Sequence, residues 1–476
     1  MSLLALMLVA ARVARVAAQG NAPLPDLSRA ASTAGFLLLL PLGLILLLTA
    51  ALPRAERDAP QAATTAFVAW GVAVLAYFGA GFALQFGGLA VSNPHPDFAG
   101  LYWNWSPLDA SFGTGWGFIG LRGWALLGPA ATPGVYDLFL RHIALLGVVV
   151  APPVFLLFRQ VKGWVLVLFG LLAGTLLYPP VGNWVWSAGW LANLGLNLNQ
   201  GHGFVDAGIA TPFVVAGALC LAARIAFRPA SPPAPPPDDG FAEVPMPSAH
   251  LPLLGFLGLA LVVWSWAFAA NVQHIPTAAG IAMPRAALNG FLGAFAGGVL
   301  AALYSRFTTG DFNLLMTARG GLSGLVMVSA AAPFLVPWEA VAAGSVAGLL
   351  LPLLVYLIDH ILKLHDHTAG IAGLGVMGVL GWLAVALLAD GSSGAGWNGV
   401  GAAVYRGVSG QGVTGLLAAS GFVPDWPGQL NAQLTGAAAI VLWTLLLGGV
   451  FFRAMAWLSR PRQETAGETI TPPAAE

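Results

Sequence analysis

Eleven apolar stretches dominate the chain, each long enough to cross a bilayer at about 20 residues per crossing. They lie near 33–52, 65–87, 138–158, 163–181, 204–226, 252–272, 284–305, 313–334, 337–358, 368–390 and 432–455. A segment in lipid must satisfy its backbone polar groups internally, so runs of this kind fold as helices. Composition leaves no water-soluble alternative. Of 476 residues, 58% are hydrophobic and 8% are charged, against roughly a quarter charged in soluble domains. The sequence predicts an all-α polytopic membrane protein with the lipid bilayer as its solvent.

Orientation follows from the Lys/Arg excess in cytoplasmic loops. Arg54 and Arg57 follow span one, Arg159 and Lys162 follow span three, and Arg224 and Arg228 close span five. Arg306 closes span seven, Lys363 follows span nine, and Arg453, Arg460 and Arg462 follow span eleven. All fall on one side if the N-terminus is outside and the C-terminus cytoplasmic; the expected location is the plasma (inner) membrane. Zero net charge and the lack of a long basic tract exclude nucleic acid as a partner. The single cysteine, Cys220, rules out an internal disulfide. Sixty-one glycines point to closely approaching helices.

The expected organisation is a possible signal peptide over 1–19, a first five-helix half over 33–226 and a Pro-rich cytoplasmic linker over 227–251. A second half follows over 252–390, an extracytoplasmic loop over 391–431, an eleventh helix over 432–458 and a disordered tail over 459–476. Arg12 and Arg15 sit late for a signal, and an interfacial amphipathic segment is the other reading of 1–19. The connection 91–137, rich in Trp, Gly and Pro, predicts an ordered outer cap.

The stretch Tyr178 to Gly217 concentrates the chemistry. It carries a Pro-Pro break, the tryptophans 184, 186 and 190, and a lone acid, Asp206, before an apolar helix. Span five opens on Asp206 and reaches Gly217; span ten opens on Asp366 and reaches Gly378. Both pair an acid with a Gly-Ile-Ala approach. Because five spans separate them, the copies run in opposite directions. That is the signature of an inverted repeat, with any pathway at the interface of the halves.

These same residues resemble the ammonium transporter (Amt/Rh) family. YPPVGNWVW at 178–186 is similar to that family's YPPxAHWVW, and GWLANLG followed by GFVDAG to its GGWL…LDFAGG. DFNLLMTARGGLSGLV at 311–326 with PW at 337–338 resembles KPDxLLTxNGALAGLV and SPW. KLHDHTAGIAGLGVMGVLGWLAVALLADG at 363–391 resembles the family's tenth helix. The likeness runs from about 33 to 455. It implies the Amt/Rh-type fold of eleven helices with two inverted five-helix repeats, a homotrimer, and transport of ammonium or ammonia.

The family carries two facing pore histidines, eight residues after the acid in spans five and ten. Here those positions hold Val214 and Leu374. Its stacked phenylalanine gate falls near Leu145 and Ala270, so the resemblance makes these four residues the pore lining. Its outer-mouth tryptophan falls on Trp186, the expected recruitment wall, and its structural acid on Asp206, with Asp366 in the mirrored place. An apolar constriction passes a neutral solute or closes by dewetting; simple packing is the plainer reading.

Other features admit two readings each. Trp186 offers a cation–π wall or an interfacial belt residue. Arg141, beside His142, either repels cations near the vestibule or pairs with Asp137. Asp359, His360, His365, Asp366 and His367 have metal-ligand types, but in a short loop without a tetrahedral spacing pattern. No phosphate-binding loop, nucleophile elbow or zinc-protease motif occurs, so neither an enzyme nor a cofactor site is expected. Two functions stand: an ammonium or ammonia transporter (or a channel for another small neutral solute), and a non-conducting sensor or assembly subunit.

Overall fold

A computed structural model describes residues 35–52, 55–92, 95–112, 115–187, 189–227, 250–270, 283–401 and 404–458. The expectations for 1–19 and 459–476, and nearly all of the linker, lie outside these residues. Among the described residues, seven helices are long and apolar enough to span, and four shorter apolar helices bring the set to eleven. In chain order they are α1 Gly35–Ala50, α2 Asp58–Val91, α3 Pro133–Leu157, α4 Gly163–Trp186, α5 Ala210–Ala226, α6 Leu253–Phe268, α7 Pro284–Thr309, α8 Leu314–Ser329, α9 Pro337–Ile361, α10 Ile371–Leu388 and α11 Gly428–Leu458. Each matches one of the eleven apolar runs.

The helices at the rim show what solvent they were built for. Leu75, Phe295, Leu442, Leu446 and Val450 project outward with more than half of each side chain exposed. So broad an apolar rim marks a lipid-facing surface. By contrast α3, packed against α1, α2 and α5, is buried along most of its length from Val135 to Leu157.

Small residues let backbones meet. A Cβ on Gly43 of α1 would lie 2.6 Å from the Gly258 oxygen of α6, and one on Gly344 of α9 would lie 2.3 Å from the Gly293 oxygen of α7. Likewise a Cβ on Gly174 of α4 would lie 2.2 Å from the Ala73 oxygen of α2. So the pair α2·α4 and the pair α7·α9, five helices further on, use the same kind of contact.

The connections between helices build an ordered cap at one end. The architecture departs from pure α there. Two short antiparallel ribbons, Asn104–Trp105 with Ile119–Gly120 and Val404–Tyr405 with Val408–Ser409, tie the two long loops internally. Arg285 at the start of α7 pairs with Asp390 at 2.7 Å and clamps the second loop to the bundle. The α11 glutamines anchor the segment before α5. Gln429 accepts from the His202 amide at 2.9 Å, and Gln433 accepts from the Val205 amide at 2.8 Å.

Candidate functional site between α5 and α10

The two acids singled out by sequence stand at the starts of α5 and α10, and their surroundings repeat. Asp206 is buried, and its carboxylate accepts from the Ala210 amide at 2.9 Å, the Thr211 amide at 2.7 Å and the Thr211 hydroxyl. Asp366 is also buried and accepts from the Thr368 amide at 3.1 Å, the Ile371 amide at 2.8 Å and the Thr368 hydroxyl. In each case the fifth residue after the acid donates its amide. In each case the third residue after the acid is left-handed without being glycine: Ile209 at φ 58° and Ala369 at φ 53°. A β-branched residue in that region is strained, so the acid's hydrogen bonds hold the turn against its own preference. Carboxylates at helix starts also complement the dipole.

α5 and α10 run antiparallel in close contact. A Cβ on Gly217 would meet the Gly375 Cα at 2.4 Å, and a Cβ on Gly378 would meet Val214 Cγ2 at 2.4 Å. Val214 and Leu374 are therefore on packed helices in the interior, 1% and 2% exposed. Neither points at lipid. Below Leu374, away from the cap, lies a cavity of about 10 Å³ that Leu374 lines together with Arg319, Ser323 and Thr368. That volume is near the lower limit for one water molecule. Leu145 is fully buried on α3. Ala270 closes a π-helical turn, Trp266–Ala270, that extends α6.

On the cap side of this contact stands an aromatic and polar cluster. Trp186 is 2% exposed, and its indole N–H donates to the Asp206 carbonyl at 3.2 Å. In this conformation the face of the expected recruitment wall is covered. The indole is closed over by its neighbours because its N–H is committed to the loop that carries Asp206. Trp266 repeats the arrangement, donating to the Gly208 carbonyl at 2.8 Å. Arg141 pairs with Asp137 at 2.8 Å rather than facing the path unpaired.

His142 belongs to a buried network that the sequence did not disclose. Its Nδ1 lies 3.0 Å from Gln85 Nε2 and 2.9 Å from the Tyr178 hydroxyl, while the Tyr77 hydroxyl donates to Gln85 Oε1 at 2.9 Å. The imidazole also meets the Trp186 ring at 5.6 Å between centroids. These residues come from α2, α3 and α4. The available signal was a glutamine, Gln85, inside the last turns of an apolar span, where an amide needs a partner.

The histidine-rich loop after α9 does not converge. Asp359 accepts from the Asp366 amide at 2.6 Å, His360 stacks on Tyr356, and His367 Nδ1 lies 3.4 Å from an Arg224 nitrogen. Among the described residues, no three His, Cys, Asp or Glu side chains gather as a metal site.

The cap holds a titratable group with a measurable consequence. His202 is fully buried against the Tyr405 ring, beside Arg406 and Asp425. Burial, with the nearby Arg406 charge, lowers its pKa to about 4. Since the folded form releases its proton more readily than the unfolded chain, the unfolded state binds more protons between about pH 6.5 and 4. The imidazole is harmless above that window, and stability falls as pH drops through it. The full penalty is at most about 3 kcal/mol. Replacing His202 with Phe should flatten the melting temperature between pH 6.5 and 4; an unchanged slope would mean that another group sets it.

With this geometry in place, comparison with known proteins is decisive for lineage. Residues 33–471 match the model of the Ammonium Transporter Family. The chain belongs to the ammonium transporter family. Ammonium transporter Amt2 of Archaeoglobus fulgidus is 26% identical over 286 residues, which cover 59% of this chain and 60% of that protein, less than two thirds of its length. A solved structure titled Sensor Amt Protein superimposes with a TM-score of 0.67 at 20% identity, covering 90% of this chain and 93% of its own. Saccharomyces cerevisiae Mep2 does so with a TM-score of 0.66 at 19% identity, covering 91% and 88%. At such identities the structural likeness carries the fold. This family member is a multi-pass membrane protein of the eleven-helix type, not an enzyme.

Proposed function

We propose that the protein moves ammonia across the membrane as the neutral molecule, through an apolar constriction at Val214 and Leu374. The observation that supports this most is the composition of the α5–α10 contact. Two buried aliphatic side chains stand where the family resemblance places imidazoles. An ion stripped of water pays several kcal/mol in such a place, whereas a small neutral solute pays for a few hydrogen bonds only. The family resemblance assigns Leu145 and Ala270 to the same pore lining. Trp186 contributes to recruitment once the cap side opens. Asp206 and Asp366 act as structural acids that fix the two helix starts.

The two acid-capped turns, the α2·α4 and α7·α9 contacts and the antiparallel α5–α10 pair support an inverted repeat with the path between its halves. The Lys/Arg pattern supports an outside N-terminus and a cytoplasmic C-terminus in the plasma (inner) membrane. Homotrimeric assembly rests on the family resemblance.

A second reading, a non-conducting sensor or assembly subunit, draws on the closed Trp186 and the small cavity. Reconstitution separates the two. Folded protein in liposomes should accelerate ammonia entry, read by an internal pH dye, well beyond protein-free vesicles. Entry equal to that of empty vesicles, from protein that is folded and inserted, removes the transport reading.

A further inference from the structure

His202 stands where three segments of the cap meet. Its own stretch, 199–205, is held from one side by α11. Gln429 accepts from the His202 amide and donates to the Gly203 carbonyl, both at 2.9 Å, and Gln433 donates to the Val205 carbonyl at 2.9 Å. The second loop covers the other side. Asn398 donates to the His202 carbonyl at 2.8 Å, and the Tyr405 ring lies 4.2 Å from the imidazole between centroids. The imidazole itself is 0% exposed, and neither Nδ1 nor Nε2 has a hydrogen-bond partner among the described residues. Native structures seldom leave such atoms unmet, and each calls for an explanation. The ribbon that carries Tyr405 is tied down at few points. Its strands, Val404–Tyr405 and Val408–Ser409, pair only with each other. The Tyr405 hydroxyl donates to Asp425 at 2.6 Å, Arg406 pairs with the same carboxylate, and Arg406 also donates to the Pro424 carbonyl at 3.2 Å.

We propose that His202 is an acid-sensitive latch: when its ring takes up a proton from the water on the cap side, the ribbon 404–409 lifts and the cap loosens over the segment that leads to Asp206. This goes beyond the transport reading and does not depend on it. An imidazolium has two N–H groups to satisfy, and the closed cap offers neither an acceptor. The charged groups beside it are Arg406 and Asp425; residues 199–205 and 428–433 carry no other charge, and the Asp206 carboxylate is committed to the start of α5. Arg406 opposes a second positive charge, while Asp425 is already shared between Arg406 and Tyr405. Lifting the ribbon lets water reach both ring nitrogens. A two-stranded hairpin on its own is marginal at best, so the ribbon unravels once Tyr405 leaves the imidazole. The bundle does not follow. The amides of Gly415, Leu416 and Leu417 bond to carbonyls at the end of α10, and the α11 glutamines keep their hold on 199–205. In the closed cap burial holds the His202 pKa at about 4, against 6.5 when solvated. The open fraction therefore grows on the order of tenfold between about pH 7 and pH 5, and levels off below about pH 4.

The test is amide hydrogen exchange on the full chain in liposomes at pH 7 and pH 5, with rates corrected for the intrinsic acid dependence of exchange. Opening of peptides that span the ribbon should rise on the order of tenfold at the lower pH, while α3 and α5 keep their protection. His202→Phe keeps a ring against Tyr405 but cannot titrate, so the rise should vanish. His202→Gln checks the same point with a smaller, polar side chain, and melting curves at pH 7 confirm that each variant is folded. A ribbon that opens equally at both pH values in the parent protein refutes the latch. So does a rise that persists in both variants, which assigns it to another group, or one shared by α3 and α5, which makes it global unfolding.

Discussion

Replacing Asp206 with alanine should abolish most of the folded protein. The carboxylate takes two backbone amides and one hydroxyl in a site closed to water. Alanine leaves all three donors buried and unmet, at about 1–3 kcal/mol each. It also releases the left-handed turn at Ile209. A total of roughly 4 kcal/mol or more is a large share of a protein's margin, so yield and melting temperature should both collapse. Asparagine keeps an acceptor and should fall between. Asp366→Ala should cost a similar amount, because its three donors are of the same kinds. This pattern separates a structural acid from one that touches the permeant. An Asp206→Asn protein that melts like the parent but has lost flux would place the acid in the path instead.

Installing the missing imidazoles should change both coupling and permeation. Val214→His or Leu374→His alone buries an imidazole without a partner, costing about 1–3 kcal/mol. If the two positions meet across the path, the double variant lets the rings bond to each other. It should then be more stable than the sum of the single changes by about 1 kcal/mol or more. Val214 already packs against the bare backbone of Gly378, where a Cβ would lie 2.4 Å from Val214 Cγ2, so the larger ring has to displace its neighbours and each single change is costly. The double variant should also carry a proton-coupled current absent from the parent, because paired imidazoles offer a route for the proton that aliphatic carbon does not. Strict additivity in melting, with no current, would put Val214 and Leu374 at separate sites.

Much of the fold was legible because lipid makes length and hydrophobicity decisive: all eleven apolar runs became helices, although some ends moved by a turn or more. The acids at 206 and 366 were legible for the same reason, as rare polar atoms in apolar surroundings. What escaped the sequence was mostly geometry without a composition signal. Left-handed Ile209 and Ala369 contradict their local preferences, and only the completed hydrogen bonds reveal them. The cluster of Tyr77, Gln85, His142 and Tyr178 joins three helices, so no local pattern could announce it. Trp186 stood out within a motif, yet the bond from its N–H to the Asp206 carbonyl depends on tertiary packing that the motif does not show. Arg319 was passed over within a motif read for its likeness, although a charge inside an apolar span is a functional pointer in its own right.

The central claim is that neutral solute crosses an aliphatic constriction that ions do not. The most direct measurement records ammonia entry and membrane current together, on the same reconstituted protein, at a fixed total of ammonia plus ammonium. As pH rises at values well below the ammonium pKa, entry should climb about tenfold per unit with the free base, while the current stays at the level of empty vesicles. A steady current that follows total ammonium, with entry indifferent to pH, would contradict the account.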